Sequence, residues 1–291
     1  MGEVRLQVLG TAQDAGVPQP NCYCGNCTRA IENPAWKRRA ASLAVVLPEE
    51  RQWHLIDASP DFKEQLVMLQ RTFGLEGQVM DSIWQTHAHI GHYPGLMYLG
   101  KEAMSTAGVP VFAGRKMKEM LETNVPWRQL TDLGNITVQE ITDGKPGQLA
   151  DGVTVTPFDV PHRNEYSETF GFRIEGPNKS VLYIPDIDSW DEWTVDVLDA
   201  CREADICLLD ATFFSAGDLA DSGRSDRDLR DIPHPFITET IRRLQAIAGE
   251  TDIYFTHFNH SNPVLDPDSE ARKFVETNGF RVAEEGMVLE I

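Results

Sequence analysis

Three histidines fall within six residues, His87-Ala88-His89-Ile90-Gly91-His92, between the apolar pair Ile83-Trp84 and an amphipathic run from 92 to 104. The pattern predicts a buried strand, a loop carrying the imidazoles, and a helix. A loop held between two regular elements can turn three imidazoles towards one point while its ends stay fixed. Neutral imidazole is the commonest transition-metal ligand, and the chain has only eight histidines, of which His54 alone lies away from places where ligands are wanted. A chain organised around such a loop must bring more ligands from distant strand ends.

The 291 residues permit one large domain, and a hydrophobic fraction of 41% supplies a core. No run approaches the roughly 20 apolar residues that a membrane-crossing helix needs, so no membrane partner is expected. The first residues, Met1-Gly2-Glu3-Val4-Arg5, carry an acid and lead directly into an alternating strand. That is unlike a secretory signal, and a cytoplasmic location is expected. The net charge of −19 argues against nucleic acid as a partner and leaves a small-molecule substrate. Five cysteines, three of them within six residues, suggest metal ligation rather than disulfides.

Strands are expected over residues 3–9, 42–47, 52–56, 109–113, 136–141, 153–160, 169–175, 180–184, 206–209 and 253–256, with one closing strand over 281–290. Helices are expected from Ser59 as N-cap, with Phe62, Leu66, Leu69 and Phe73 on one face, and over 92–104, 115–122, 192–204, 235–248 and 268–278. Residues 11–26 read as a loop, 124–134 as an irregular cap, and 215–232 as a mobile surface loop. This alternation fits a single domain, 1–291, of packed sheets covered by helices.

Three more polar residues follow apolar strands: His162 after Val-Thr-Pro-Phe-Asp-Val-Pro, Asp186 after Leu-Tyr-Ile-Pro, and His257 after Ile-Tyr-Phe-Thr. Each alone reads equally well as a cap or surface residue. Together with the first cluster they resemble the metallo-β-lactamase fold superfamily of metal-dependent hydrolases, in order and across nearly the whole chain. The resemblance implies an αββα four-layer sandwich with two metals at one edge. One would be held by His87, His89, His162 and Asp186, the other by His92, His257 and the bridging Asp186, with a water between them as nucleophile. Gly91 stands where the superfamily pattern His-x-His-x-Asp-His has its aspartate. The second metal then binds weakly, is absent, or borrows another carboxylate, for which Asp188 and Glu165 are the nearby candidates.

Cys22, Cys24 and Cys27 offer three thiolates, and His260, three residues past His257, is the expected fourth ligand of a tetrahedral structural zinc. Cys201 and Cys207 read as core. The Cys-x-Cys-x-x-Cys loop, after Gly10-Thr11 and Gly16-Val17-Pro18, resembles two branches of the superfamily: the pyrroloquinoline quinone biosynthesis protein B group and the cyclic-phosphate phosphodiesterases of phosphonate breakdown. Asp210-Ala211-Thr212 with the later His234 is similar to a pair in the tRNA-maturation nucleases that helps protonate the leaving group. Asp210 would orient His234 as general acid; the alternative is that both residues cap secondary structure.

The leading functional expectation is a metal-dependent hydrolase of a small phosphodiester or ester, closest to the quinone-biosynthesis group, with one structural zinc and one or two active-site ions of zinc, manganese or iron. The alternatives are an iron-dependent oxygenase, as the resemblance to the quinone-biosynthesis group allows, and a non-catalytic metal-binding or carrier protein. Trp127, Tyr166 and Trp190 are candidates for the pocket lining. The branches resembled here often pair, which implies a homodimer.

Overall fold

Every residue of the strand Ser42–Leu47 is buried, because its two faces meet two different cores. Leu43, Val45 and Leu47 point into a cluster shared with Phe172, Tyr183 and Leu208, while Ala44 and Val46 join Leu55, Phe62 and Leu69. A strand covered on both sides reads as a continuous apolar run, and the sequence Ser-Leu-Ala-Val-Val-Leu is such a run.

The computed structural model describes residues 2–217 and 233–291. In chain order the strands are β1 Arg5–Gly10, β2 Ser42–Leu47, β3 Gln52–Ile56, β4 Ser82–Trp84, β5 Val109–Ala113, β6 Ile136–Glu140, β7 Gly147–Ala150, β8 Val153–Asp159, β9 Phe170–Glu175, β10 Ser180–Ile184, β11 Ile206–Asp210, β12 Asp252–Thr256, β13 Arg281–Val282 and β14 Val288–Glu290. They form two seven-stranded sheets, ordered β14-β1-β2-β3-β4-β5-β6 and β13-β12-β11-β10-β9-β8-β7. In each sheet an antiparallel half gives way to a parallel half, beginning at β3–β4 and at β10–β11. One apolar cluster fills the space between the sheets. Two others lie between each sheet and its helices, so the architecture is the expected four-layer αββα sandwich.

The helices are α1 Gly25–Glu32, α2 Phe62–Phe73, α3 Arg115–Thr123, α4 Val125–Asp132, α5 Val197–Arg202, α6 Ile237–Leu244 and α7 Glu270–Thr277. Several depart from expectation for physical reasons. The run after His92 is a 3-10 helix confined to Pro94–Leu99. Gly95 packs so closely that a Cβ there would lie 2.5 Å from the Ser59 carbonyl oxygen, and the buried Leu96 and Leu99 are three apart, the repeat of a 3-10 turn. Residues 124–134 are not an irregular cap: α4 runs through them, with Pro126 in the first turn, where its missing N–H costs nothing. The helix expected over 192–204 begins only at Val197, capped by the Asp196 side chain accepting from the Leu198 amide. The single closing strand is two strands in different sheets, β13 beside β12 and β14 beside β1, with Gly286 at φ 82° between them. Helix α2 begins at Phe62 after Asp61, two residues later than expected. Residues 25–32, of which the first two were read as loop, form α1. Most of the loop read over 215–232 lies outside the described residues.

His54 belongs to this framework. It is buried on β3 with Nδ1 2.7 Å from Ser82 Oγ, and burial lowers its pKa to about 4 against a weaker opposing pull from Asp81. A histidine whose folded pKa is depressed leaves the unfolded chain binding more protons between pH 6.5 and 4, so its contribution to stability falls as pH falls through that window. Urea unfolding at pH 7.5 and 5.0, with metal removed, is expected to show a loss in the wild type about 2 kcal/mol larger than in His54→Leu. Equal losses would contradict this.

Candidate metal centre

The parallel strands β3, β4, β10, β11 and β12 each end at a polar residue. Asp57 follows β3, His87 lies just past β4, Asp186 just past β10, Asp210 ends β11, and His257 follows β12. The donor atoms of His87, His89, His162 and Asp186 converge within 4.8 Å of one another, as do those of His92, Asp186 and His257. Asp186 is common to both groups. Its Oδ2 lies 3.2 Å from His162 Nε2, 3.5 Å from His87 Nε2, 3.7 Å from His92 Nε2 and 3.8 Å from His257 Nε2.

Proton bookkeeping shows what these atoms need. Thr86 Oγ1 donates to Asp57 Oδ2 (2.8 Å), so it can accept from His87 Nδ1 at 2.9 Å. His92 Nδ1 donates to Asp57 Oδ2 at 2.8 Å, and His162 Nδ1 donates to Asp188 Oδ1 at 2.6 Å. Thr212 Oγ1 donates to Asp210 Oδ1 (2.8 Å) and faces His257 Nδ1 at 3.2 Å. Four imidazoles thus spend their Nδ1 protons outward and aim Nε2 at one carboxylate oxygen. His89 turns Nδ1 inward, 2.9 Å from His87 Nε2 and 3.0 Å from His162 Nε2. These inward atoms have too few protons to satisfy one another, and His257 Nε2 is buried with no hydrogen-bond partner. Bound cations would relieve the arrangement: ligand atoms about 2.0–2.2 Å from a tetrahedral ion lie roughly 3.3–3.6 Å apart, within the range of the spacings found.

The electrostatics follow the same division. Burial lowers His87 well below its ordinary value, takes His89 down to about 4, and lowers His257, so these imidazoles are neutral and ready to ligate. Burial works against charge on His162 too, but Asp186 and Asp188 overcome it and raise its pKa to about 10. Asp57 similarly raises His92 in spite of burial. Burial pushes Asp186 up, yet His162 and His257 hold it well below the carboxylate range. A cation entering this centre competes with the proton on His162, so metal uptake strengthens as pH rises. Outer carboxylates that orient ligating imidazoles are a recurrent part of metal sites, and here Asp57 and Asp188 have that position.

The second cluster is tetrahedral in outline. His260 Nδ1 lies 3.5 Å from Cys22 Sγ, 3.5 Å from Cys24 Sγ and 3.6 Å from Cys27 Sγ, close to the edges of a Cys3His zinc site. Burial pushes the Cys27 thiol up to about 12, so the thiolate form requires a cation beside it. Cys24 precedes the first turn of α1, and the Asn26 side chain donates to the carbonyls of His260 and Asn262. Cys201 and Cys207 are buried in the core of the second sheet, as expected.

The third group is Asp210 and His234, brought together at 2.8 Å, with His234 Nδ1 3.5 Å from Asp186 Oδ1. Of the aromatic candidates, only Tyr166 is both exposed and near the centre, its ring 6.2 Å from that of His89. Trp190 is core, donating from Nε1 to Thr240 Oγ1, and Trp127 packs on Tyr93. Asp188 and Glu165 are not placed to serve the second ion: Asp188 binds His162 and the Arg163 amide, and Glu165 faces His89 at 3.7 Å. Asp57 was missed because Asp57-Ala58-Ser59-Pro60 reads as a helix start. Its strand-end position, shared with Asp186 and His257, was the available signal.

The profile of a beta-lactamase superfamily domain matches residues 52–258, and the chain belongs to that superfamily. Along its full length it is similar to coenzyme PQQ synthesis protein B of Methylobacterium sp. strain 4-46, 28% identical with 97% of this chain and 98% of that protein covered. The same protein of Ruegeria pomeroyi is 27% identical, with 98% and 99% covered. The crystal structure of zinc-bound PqqB from Methylobacterium extorquens superposes with a TM-score of 0.82 at 25% identity, covering 99% of this chain and all of that one. A diphosphatase of the PhnP family shares the fold, with a TM-score of 0.68 at 22% identity over 99% and 97%.

Two substitutions separate the clusters. Asp188→Asn is expected to weaken metal at the histidine centre by about 10–100-fold and leave the cysteine site loaded. Cys27→Ser is expected to do the reverse. Elemental analysis after dialysis against a graded chelator reads both; simultaneous loss from both sites in either variant would contradict two independent centres.

Proposed function

We propose that the protein is a metal-dependent hydrolase of a small phosphodiester or ester. The observation that carries this reading is the single oxygen of Asp186 shared by two donor sets, with the Asp210–His234 pair beside it. Bound ions, zinc by the chemistry of the donors, would supply a water acidified to near-neutral pKa and polarise the bond under attack. The chain's own residues do the remaining work. His87, His89, His162, Asp186, His92 and His257 would hold the ions, and Asp57 and Asp188 fix the rings that point at them. His234 would give the leaving group its proton: burial opposes charge on His234, but Asp210 overcomes that and raises its pKa, keeping it protonated near neutrality. Tyr166 stands at the exposed side of His89 and would contact substrate. The acidic surface favours a small substrate over nucleic acid. The cysteine cluster would bind a structural zinc that pins the N-terminal loop beside this edge.

A second reading rests on full-length similarity to coenzyme PQQ synthesis protein B: iron in the His87, His89, His162 and Asp186 set, serving oxygen-dependent chemistry. Zinc-, manganese- and iron-loaded protein can be assayed on a bis-aryl phosphate, an aryl ester and for oxygen uptake. Hydrolysis that vanishes on chelation supports the first reading. Oxygen uptake confined to the iron form, without hydrolysis, replaces it with the second.

The acid role has its own signature. His234→Ala is expected to lower kcat by about 10²–10⁴. Asp210→Asn removes the charge that raises the His234 pKa, so the alkaline limb of the kcat profile should move to lower pH. An unmoved limb would assign the pair a purely structural part.

A further inference from the structure

The His87 set has four protein donors and the His92 set three, although both share Asp186. The N-terminal segment packs against residues adjacent to both histidines of the smaller set. Gln13 N donates to Phe258 O at 2.9 Å and Phe258 N donates to Thr11 O at 2.8 Å, tying the segment to the residue that follows His257. One residue further, Asp14 adopts a left-handed backbone, φ 51°. Its Cα lies 2.9 Å from where a Cβ on Gly91 would stand, with its amide nitrogen at 3.2 Å and its carbonyl oxygen at 3.3 Å. Real Cβ atoms do not tolerate such contacts with backbone, so a side chain at 91 and the present course of residue 14 exclude one another. Glycine at 91 is therefore the condition for Asp14 to approach.

Asp14 is thereby held beside Gly91, the neighbour of His92, and one residue from the bridge to Phe258, the residue after His257. Its negative charge is felt at His92. The side chain is exposed and lies outside the converging donor group, so ligation requires the carboxylate to turn inward. The alternatives face elsewhere, Asp188 being engaged by His162 and Glu165 lying by His89.

We propose that Asp14 is the fourth protein ligand of the second metal position, supplying from the N-terminal loop the carboxylate that residue 91 cannot. The inference rests on the metal reading of the centre. A carboxylate added to two imidazoles and a shared carboxylate raises affinity for a divalent ion by charge and by completing a four-donor shell.

The test is zinc stoichiometry and affinity of full-length, metal-stripped protein, by elemental analysis and by competition with a chromophoric chelator. Wild type, Asp14→Asn, Asp14→Gly and His87→Ala are compared; Asn and Gly both tolerate the left-handed backbone. Wild type should bind three ions, and each Asp14 variant should keep two at wild-type affinity with the third weakened 10-fold or more. Three ions at unchanged affinity in Asp14→Asn and Asp14→Gly would overturn the proposal, as would a wild type that binds only two. Failure of His87→Ala to lose an ion would instead defeat the metal reading of the whole centre, which separates that failure from this one. Loss of all three ions in both Asp14 variants, with altered circular dichroism, would mean the residue acts on the fold and would also overturn it.

Discussion

The structure turns on one buried carboxylate. Asp186 Oδ2 faces four imidazole nitrogens at 3.2 to 3.8 Å, in a nearly fully buried place. Burying an ion without a partner costs several kcal/mol, and burying lone pairs against lone pairs adds to it. A proton on His162 relieves part of this. The other three nitrogens still face the same oxygen with their own protons committed outward to Thr86, Asp57 and Thr212. The arrangement is costly as protein alone and favourable around cations, so the two sheets have been built to hold something.

The fold supplies the means. Parallel strands deliver their C-terminal ends to one edge, and the two sheets bring two such edges face to face, so that Asp57 and His87 from one meet Asp186, Asp210 and His257 from the other. The apolar cluster between the sheets fixes that meeting, since Trp84 and Tyr183, each near a ligand in sequence, are both buried in it. His257 itself has a left-handed backbone, φ 62°, as has Asp57, also φ 62°. Such conformations are uncommon for residues other than glycine and cluster where function constrains the chain.

Much of the converging donor group was legible in the sequence because each member is a polar residue standing at or near the end of an apolar strand. His87, His89, His92, His162, Asp186 and His257 all carried that mark, and His260, three residues past His257, stood out as the partner of Cys22, Cys24 and Cys27, beside which the structure places it. What escaped depended on contacts between distant segments. Asp57 looked like the start of a helix because Ser59-Pro60 follows it, and only the pairing of β3 with β4 brings it under His92. The stretch after His92 has the apolar pattern of a helix, but Pro94 and the close approach of Gly95 to Ser59 tighten it into 3-10 turns. The closing residues read as one strand because nothing local says that Val282 and Val288 belong to different sheets. The nearness of Asp14 to Gly91 has no local signal of any kind.

The most direct test of the central claim is a crystal structure of zinc-loaded protein with anomalous data collected on both sides of the zinc edge. One anomalous peak is expected among Cys22, Cys24, Cys27 and His260, and two more flanking Asp186. Anomalous density at the cysteines alone, with the histidine centre holding only water, would contradict it.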